Sequence, residues 1–360
     1  MAPSASKSGK SSKPKASEVA AETKKQYIPH IKKTYGSCWP TVSYLYHQPL
    51  QQLSIPRCVS NFPSPPTFHI TTGDPVDFAL HMARTETART GESVSVPFIC
   101  AANEKRPGGD WETGVVGYEE RLCRRSTLSA ALATPGPGSM VESNYPIPCE
   151  GGIMSNYVVV FRGLHDRYER LKEDQWAATP VVSVVPTRWP KLSHSGTKYS
   201  FEQERDLVKV KLRAALRICL YNGYRYVVIG DFGLGNGCRN PPQEMAELWR
   251  EVFLYDPDLR GQFVFAAFVF EDKRQSTMRL ILDDIAKKSK GSSGSGAGSS
   301  KSRGKSSSSS SSSGSSSAGS AIGGSVPTDY EIFERVFDER AIQAVLSQPD
   351  PRYKLNMITS

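Results

Sequence analysis

Two stretches of this chain share a layout, and that layout restricts the fold more than any other feature. In each, a short apolar run leads into a glycine-rich loop, and the loop leads into a helix start. The first opens with the apolar residues 94–102, passes through Pro107, Gly108, Gly109, Gly114 and Gly117, and enters a helical segment at Tyr118, Glu119 and Glu120. The second opens at 226–230, passes through Gly230, Gly233, Gly235 and Gly237, and reaches Pro241 behind Asn240. Apolar runs of this length, bounded by turn residues, read as buried strands. Glycine tolerates positive φ and lets the backbone approach a ligand closely. A strand, such a loop and a helix start in succession present backbone N–H groups to an anion such as phosphate.

The rest of the chain repeats the strand and helix alternation. Residues 68–71 read as a strand, Gly73, Asp74 and Pro75 as a turn, and 76–84 as a helix. The helix that opens at Tyr118 is expected to run to about Ala133, followed by a long polar loop over 134–152. Residues 157–161 and 181–185 are short apolar runs bounded by Gly or Pro, and both read as strands. Residues 199–221 form a long amphipathic pattern closed by Asn222 and Gly223. Asn240 is the expected N-cap of the next helix, with Pro241 at its first position. Residues 263–270 make the last strand. Six strands alternating with helices imply a three-layer α/β/α domain.

The flanking segments differ in composition. Residues 1–15 are Ser, Lys and Pro with four lysines and no acid, and read as a disordered basic tail. Ser17 looks like the N-cap of a helix reaching about His30, with Pro29 limiting its end. Residues 35–66, rich in Pro and aromatics, suit an irregular arm packed on the domain; together 16–66 are expected to form an N-terminal accessory arm. Residues 287–326 are Ser/Gly-rich and read as flexible. Residues 330–346 then recover helical periodicity. Loop closure cost grows slowly with length, so a fold can tolerate 287–326 as an insertion between 67–286 and 327–349.

The formal net charge of +9 resides largely in the tail and the insertion, whose residues 287–305 hold six cations and no acid. The remainder is close to neutral, so the basic character does not mark a folded nucleic-acid face; the tails are expected either to keep the chain soluble, to contact nucleic acid weakly or to act as nuclear address signals. Seven scattered cysteines without a Cys-x-x-Cys pair argue for reduced thiols inside a cell, and against a zinc site or disulfide framework. No run of 18 or more apolar residues is present, so no membrane partner is expected.

The residues from Asn103 to Ser126, with Gly108, Gly109 and the Glu119–Glu120 pair, resemble the signature of the microbial-type poly(ADP-ribose) glycohydrolases of the macrodomain superfamily, where a Gly-Gly-Gly loop precedes Gln-Glu-Glu. Asp110 stands at the third Gly and Tyr118 at the Gln. The 230–242 loop is similar to the family's second, diphosphate-embracing loop, though Gly237 and Cys238 replace its Phe. The resemblance implies a macrodomain-like mixed sheet over 67–286 that is completed by a closing helix in 327–349, no cofactor and no metal, and an ADP-ribose polymer or ADP-ribosylated protein as partner. It implies Glu120 as general acid on the ribose–ribose bond, Glu119 on ribose hydroxyls, Asn103 on the distal ribose, and the backbone of 108–109 and 233–237 on the diphosphate, with Asp110, Tyr118, Gly233, Gly235, Gly237 and Asn240 around the ligand. Asp74 is expected either to receive the adenine amino group or to cap its helix. Phe270 is expected either to stack on adenine or to pack in the core. Adjacent glutamates at a helix start also complement its dipole, so a purely structural role stands beside the catalytic one. Arg124, four residues after Glu120, is positioned to favour its ionised form. A non-catalytic ADP-ribose-binding module and a mono-ADP-ribosyl hydrolase are the alternative functions. A monomer in the nucleus or cytoplasm is the expected setting.

Overall fold

The computed structural model describes residues 14–47, 65–292 and 325–348. Its centre is a mixed sheet of seven strands: β1 (Tyr44–Tyr46), β2 (Thr67–Thr72), β3 (Phe98–Ala101), β4 (Gly152–Val160), β5 (Ala177–Val184), β6 (Tyr226–Ile229) and β7 (Phe265–Phe270). They lie in the order β1-β4-β5-β3-β6-β7-β2. The five strands from β5 to β2 are mutually parallel, while β4 runs antiparallel to β5 and β1 antiparallel to β4. Strand β3 is central: Ile99 faces Val182 on one side and Ile229 on the other. A strand flanked and covered in this way is continuously apolar, which is why 98–100 shows no alternation.

Helices cover both faces. On one lie α6 (Glu202–Tyr221), α7 (Pro242–Tyr255), α9 (Asp329–Val336) and α10 (Glu339–Leu346), sharing a core with Ile99, Ile229 and Phe268. On the other lie α3 (Pro75–Thr90), α4 (Tyr118–Arg125) and α5 (Leu128–Leu132), packed around Phe98, Cys100 and Val228. The result is the expected three-layer α/β/α arrangement.

Several expected elements are corrected. Within the apolar run 94–102 the strand itself is β3; Pro97 has no N–H for the ladder, though its carbonyl accepts the Val228 N–H at 2.9 Å. Strand β1 lies within the arm read as irregular, where Leu45 pairs with Ile153. The helix over 118–133 is two helices, broken at Ser126 and Thr127, where Thr127 Oγ1 accepts the Val159 N–H at 2.9 Å. The closing helix is also two, because Asp338 accepts from the N–H groups of Arg340 and Ala341 and caps α10 anew. Helix α8 (Thr277–Ser292) reaches into the stretch read as flexible from 287. The expectations for 1–13, 48–64 and 293–324 lie outside the described residues.

Pro29 does not end its helix. Helix α1 (Ala16–Glu22) passes through a π turn (Thr23–Tyr27) into α2 (Ile28–Thr34), with Pro29 in the first turn of α2. Proline is tolerated there because its missing N–H falls where the wider turn already breaks the regular ladder. The arm then docks on the domain: the Tyr27 ring stacks on Phe161 at 4.6 Å, and the Arg162 guanidinium lies 4.5 Å from the Tyr27 ring centroid.

The segment after 324 belongs to the core. Phe333 and Phe337 pack on Phe268, and the buried Asp329 accepts from the backbone N–H of Thr277 at 2.8 Å and from its hydroxyl at 2.7 Å.

Candidate active site

The carboxyl ends of the parallel strands β3, β5, β6 and β7 open onto one cavity of about 500 Å³. This is where an open α/β sheet places its ligands. The loop after β3 and the start of α4 supply Val116, Gly117, Tyr118, Glu119 and Glu120, and the loop after β6 supplies Asp231 and residues 234–238.

The loop after β3 is held from beneath by α4. Arg124, 1% exposed, donates from Nε to the Trp111 carbonyl at 2.8 Å and from Nη2 to the carbonyls of Thr113 at 2.9 Å and Val115 at 2.6 Å. It is thus turned into the loop and forms no ion pair with Glu120, which corrects the pairing expected from their spacing. Gly108 has φ +72°, and a Cβ there would meet Cys123 Sγ at 2.7 Å, so loop and helix touch through a glycine.

The glycines also make room for Glu120. A Cβ on Gly109 would lie 2.6 Å from Glu120 Oε1, and a Cβ on Gly117 would overlap Glu120 Oε2. The Glu120 carboxylate therefore rests between two bare stretches of backbone and lines the cavity. Glu119 points inward and is 3% exposed. Its Oε2 accepts the Asn103 N–H at 2.6 Å, and its Oε1 has no hydrogen-bond partner. Burial pushes its carboxyl up to about 8, the Asn103 N–H opposes this and the neighbouring Glu120 adds to it. Burial thus favours the protonated form of Glu119.

The second loop is closed by Asn240, 1% exposed. Its Nδ2 donates to the carbonyls of Gly233 at 2.7 Å and Thr187 at 2.8 Å, and its Oδ1 accepts from the Tyr199 hydroxyl at 2.9 Å. This occupation corrects the expected N-cap: Pro241 stands at that position of α7 and Pro242 at N1. Gly235 and Gly237 line the cavity, although the Gly235 N–H is already given to Thr277 Oγ1 at 2.7 Å. Gly233 has φ +76° and packs toward Met245 and Asn240 instead.

The remaining expected contacts divide. Tyr118 lines the cavity; its ring packs on Phe98, and its buried hydroxyl has no hydrogen-bond partner. Asp110 is turned outward to Arg106 Nη2 at 2.6 Å, so its carboxylate does not intrude on the cavity. Asn103 faces an adjoining cavity, with Oδ1 accepting the N–H groups of Lys105 and Arg106. Asp74 is the N-cap of α3: Oδ1 accepts from Val76 and Asp77, and Oδ2 pairs with Arg125 at 3.1 Å. Of its two expected roles, the cap is the one occupied. Phe270 is 1% exposed among Tyr330 and Phe333, so it is a core residue and lies outside the cavity lining.

Four charged residues of the cavity were not among those expected. Glu271 and Arg121 form an ion pair across the lining, and burial raises the Glu271 carboxyl while Arg121 opposes this. Burial pushes Asp231 up to about 8, and its Oδ1 has no partner. Arg188 brings a second cation. Asp231, Glu271 and Arg188 each lie within four residues of the end of a parallel strand, a signal readable once the strands are placed. Among the described residues, no group of three or more His, Cys, Asp or Glu is placed to hold a metal ion, and no helix is long and apolar enough to cross a membrane.

Residues 9–163, which include the first loop and both glutamates, match the family described as microbial-type PARG, catalytic domain. No curated protein matches the chain. Among solved structures, a poly(ADP-ribose) glycohydrolase from Thermomonospora curvata is similar with a TM-score of 0.50 at 17% identity, over 75% of this chain and 98% of that one. The same enzyme bound to the inhibitor ADP-HPD gives 0.48 at 18% identity, over 76% and 98%. The Deinococcus radiodurans poly(ADP-ribose) glycohydrolase in complex with ADP-ribose gives 0.48 at 17% identity, over 72% and 97%. In sequence over residues 9–163, and in fold over three quarters of its length, the chain is similar to the microbial-type PARG catalytic domain.

Proposed function

We propose that this chain is a glycoside hydrolase that cleaves the ribose–ribose O-glycosidic bond of poly(ADP-ribose) and releases ADP-ribose. The observation that carries this reading is the seat of Glu120, whose carboxylate lies against Gly109 and Gly117 in a cavity formed by two glycine loops. The match over 9–163 and the shared fold support it.

The chemistry needs a proton on the leaving oxygen and a stabilised oxocarbenium-like ribose. Glu120 supplies the proton as the C1–O bond breaks. A water then adds its oxygen to C1 and returns a proton to the Glu120 carboxylate. Glu119, buried at the cavity wall with Oε1 unpartnered, holds a ribose hydroxyl: a buried polar atom without a partner is costly until a ligand satisfies it. The open backbone at Gly237 faces the diphosphate. Arg188 adds a cation to the same lining.

The test is incubation of the full chain with poly(ADP-ribose) and with singly ADP-ribosylated protein. Release of ADP-ribose from the polymer supports the reading. Release from the single unit alone shifts it to a mono-ADP-ribosyl hydrolase, and binding without release leaves a non-catalytic module.

A further inference from the structure

A second cavity, of about 690 Å³, opens beside the first. The two share a partition made of two adjacent strips of chain. Arg188 and Cys238 line the first cavity, and their successors Trp189 and Arg239 line the second. The strips are joined where the Trp189 N–H donates to the Cys238 carbonyl at 2.7 Å.

The second cavity combines exposed rings with cations. Trp189 is 59% exposed and Phe201 47% exposed, although both are large and apolar. Trp189 is held at φ +53°, a left-handed conformation uncommon for a bulky residue. Lys191, Lys287 and Lys288 line the cavity, with Lys191 5.4 Å from the Phe201 ring centroid and Arg239 5.2 Å from that of Trp189. Arg239 is 8% exposed, and its Nε and Nη1 have no hydrogen-bond partner. Its Nη2 donates to Asn236 Oδ1 at 2.8 Å and lies 3.4 Å from Asp284, the acid in this lining. Buried guanidinium donors left open in a cavity rimmed by lysines fit an anion with several oxygens. Exposed aromatic faces among cations fit stacked bases on a phosphate backbone.

We propose that this cavity is a subsite for a neighbouring ADP-ribose unit of the same polymer, with its adenine on Trp189 and its diphosphate at Arg239 and the lysines. This inference rests on the reading of the first cavity as the site of cleavage. Continuity with that cavity through 188–189 and 238–239 favours the polymer over a nucleic-acid strand. The consequence is preference for chains of two or more units over single ADP-ribose.

The experiment is calorimetry on the full chain carrying Glu120→Gln, titrated with ADP-ribose and with ADP-ribose oligomers of two or more units. Oligomers should bind about tenfold tighter than ADP-ribose, the scale of one base stacked on an aromatic ring. Adding Trp189→Ala should remove that gain and leave ADP-ribose affinity within about twofold, and Trp189→Phe should restore most of it. Replacing Lys191 and Lys288 by Ala should flatten the salt dependence of oligomer binding alone. The proposal is overturned if Trp189→Ala leaves oligomer affinity unchanged, or weakens both ligands equally. It is also overturned, in favour of nucleic acid, if a single-stranded oligoadenylate displaces the oligomer at equal concentration. Failure of the chain without Trp189→Ala to bind even ADP-ribose removes the reading of the first cavity and the subsite with it. A loss confined to the oligomer arm removes only the subsite.

Discussion

The carboxylate of Glu120 lies so close to the Gly117 backbone that a Cβ on Gly117 would overlap Oε2. Gly117 has φ −61° and ψ 156°, values open to any residue, so its requirement for glycine comes from Glu120 and not from the backbone.

Gly117→Ala therefore tests the seat of the carboxylate without straining the chain. Turnover on poly(ADP-ribose) should fall roughly a hundredfold, the scale of a displaced catalytic group, while the melting temperature stays near wild type. Gly109→Ala should lose turnover and stability together, because Gly109 also has φ +57°. Unchanged turnover in Gly117→Ala would show that the observed position of Glu120 is irrelevant to the chemistry.

The pH dependence of stability reports on the buried acids. Burial raises Glu119 from an ordinary value of 4.5, and Asp231 from 3.8, each to about 8. Between those limits the native state holds protons that the unfolded chain has released. The stability these groups contribute is complete below about pH 4 and is lost as pH rises through about 8. Wild-type stability should thus fall from pH 5 to pH 8 relative to a Glu119→Gln, Asp231→Asn double variant. The relative loss should be on the order of a few kcal/mol, read from urea melts across that range. A constant difference between the two proteins would show that neither group is protonated in the native state.

Phe270 separates a core residue from a ligand contact. Packed among Tyr330 and Phe333, it should lose about 3–5 kcal/mol of stability on Phe270→Ala. The milder Phe270→Leu should keep ADP-ribose affinity within about twofold, since no stacking on a base is removed. A selective loss of affinity in a stable Phe270→Leu protein would restore the stacking role.

The sequence carries those features whose signal is local. Apolar runs bounded by Gly and Pro locate six of the seven strands, and the paired glycine loops locate the cavity. Glu119 and Glu120 stand out because they open a helix directly after one of those loops. Strand β1 escapes because three residues, Tyr44 to Tyr46, are too few to show a period, and its pairing with β4 depends on chain a hundred residues away. The direction of Arg124 escapes for another reason. Helical spacing brings it to the face of Glu120, but three loop carbonyls outcompete one carboxylate that has turned to the glycines. Asp74, Asn240 and Phe270 sit where the resemblance places them in sequence, but a cap, a loop clamp and a core take up their side chains. Asp231, Glu271 and Arg188 become visible only when strand ends are gathered on one edge of the sheet.

The most direct measurement compares wild type with Glu120→Gln for both ADP-ribose binding and ADP-ribose release from poly(ADP-ribose). Glutamine keeps the size of the side chain but cannot deliver a proton. The expected result is affinity within a few-fold of wild type and turnover lower by about 10²–10⁴-fold, the scale of general acid catalysis. Circular dichroism and a melting curve should show a folded variant, with the helix-start charge accounting for at most about 1 kcal/mol. A wild type that releases no ADP-ribose from polymer, or a folded Glu120→Gln protein that turns over as fast as wild type, would contradict Glu120 as the acid of this site.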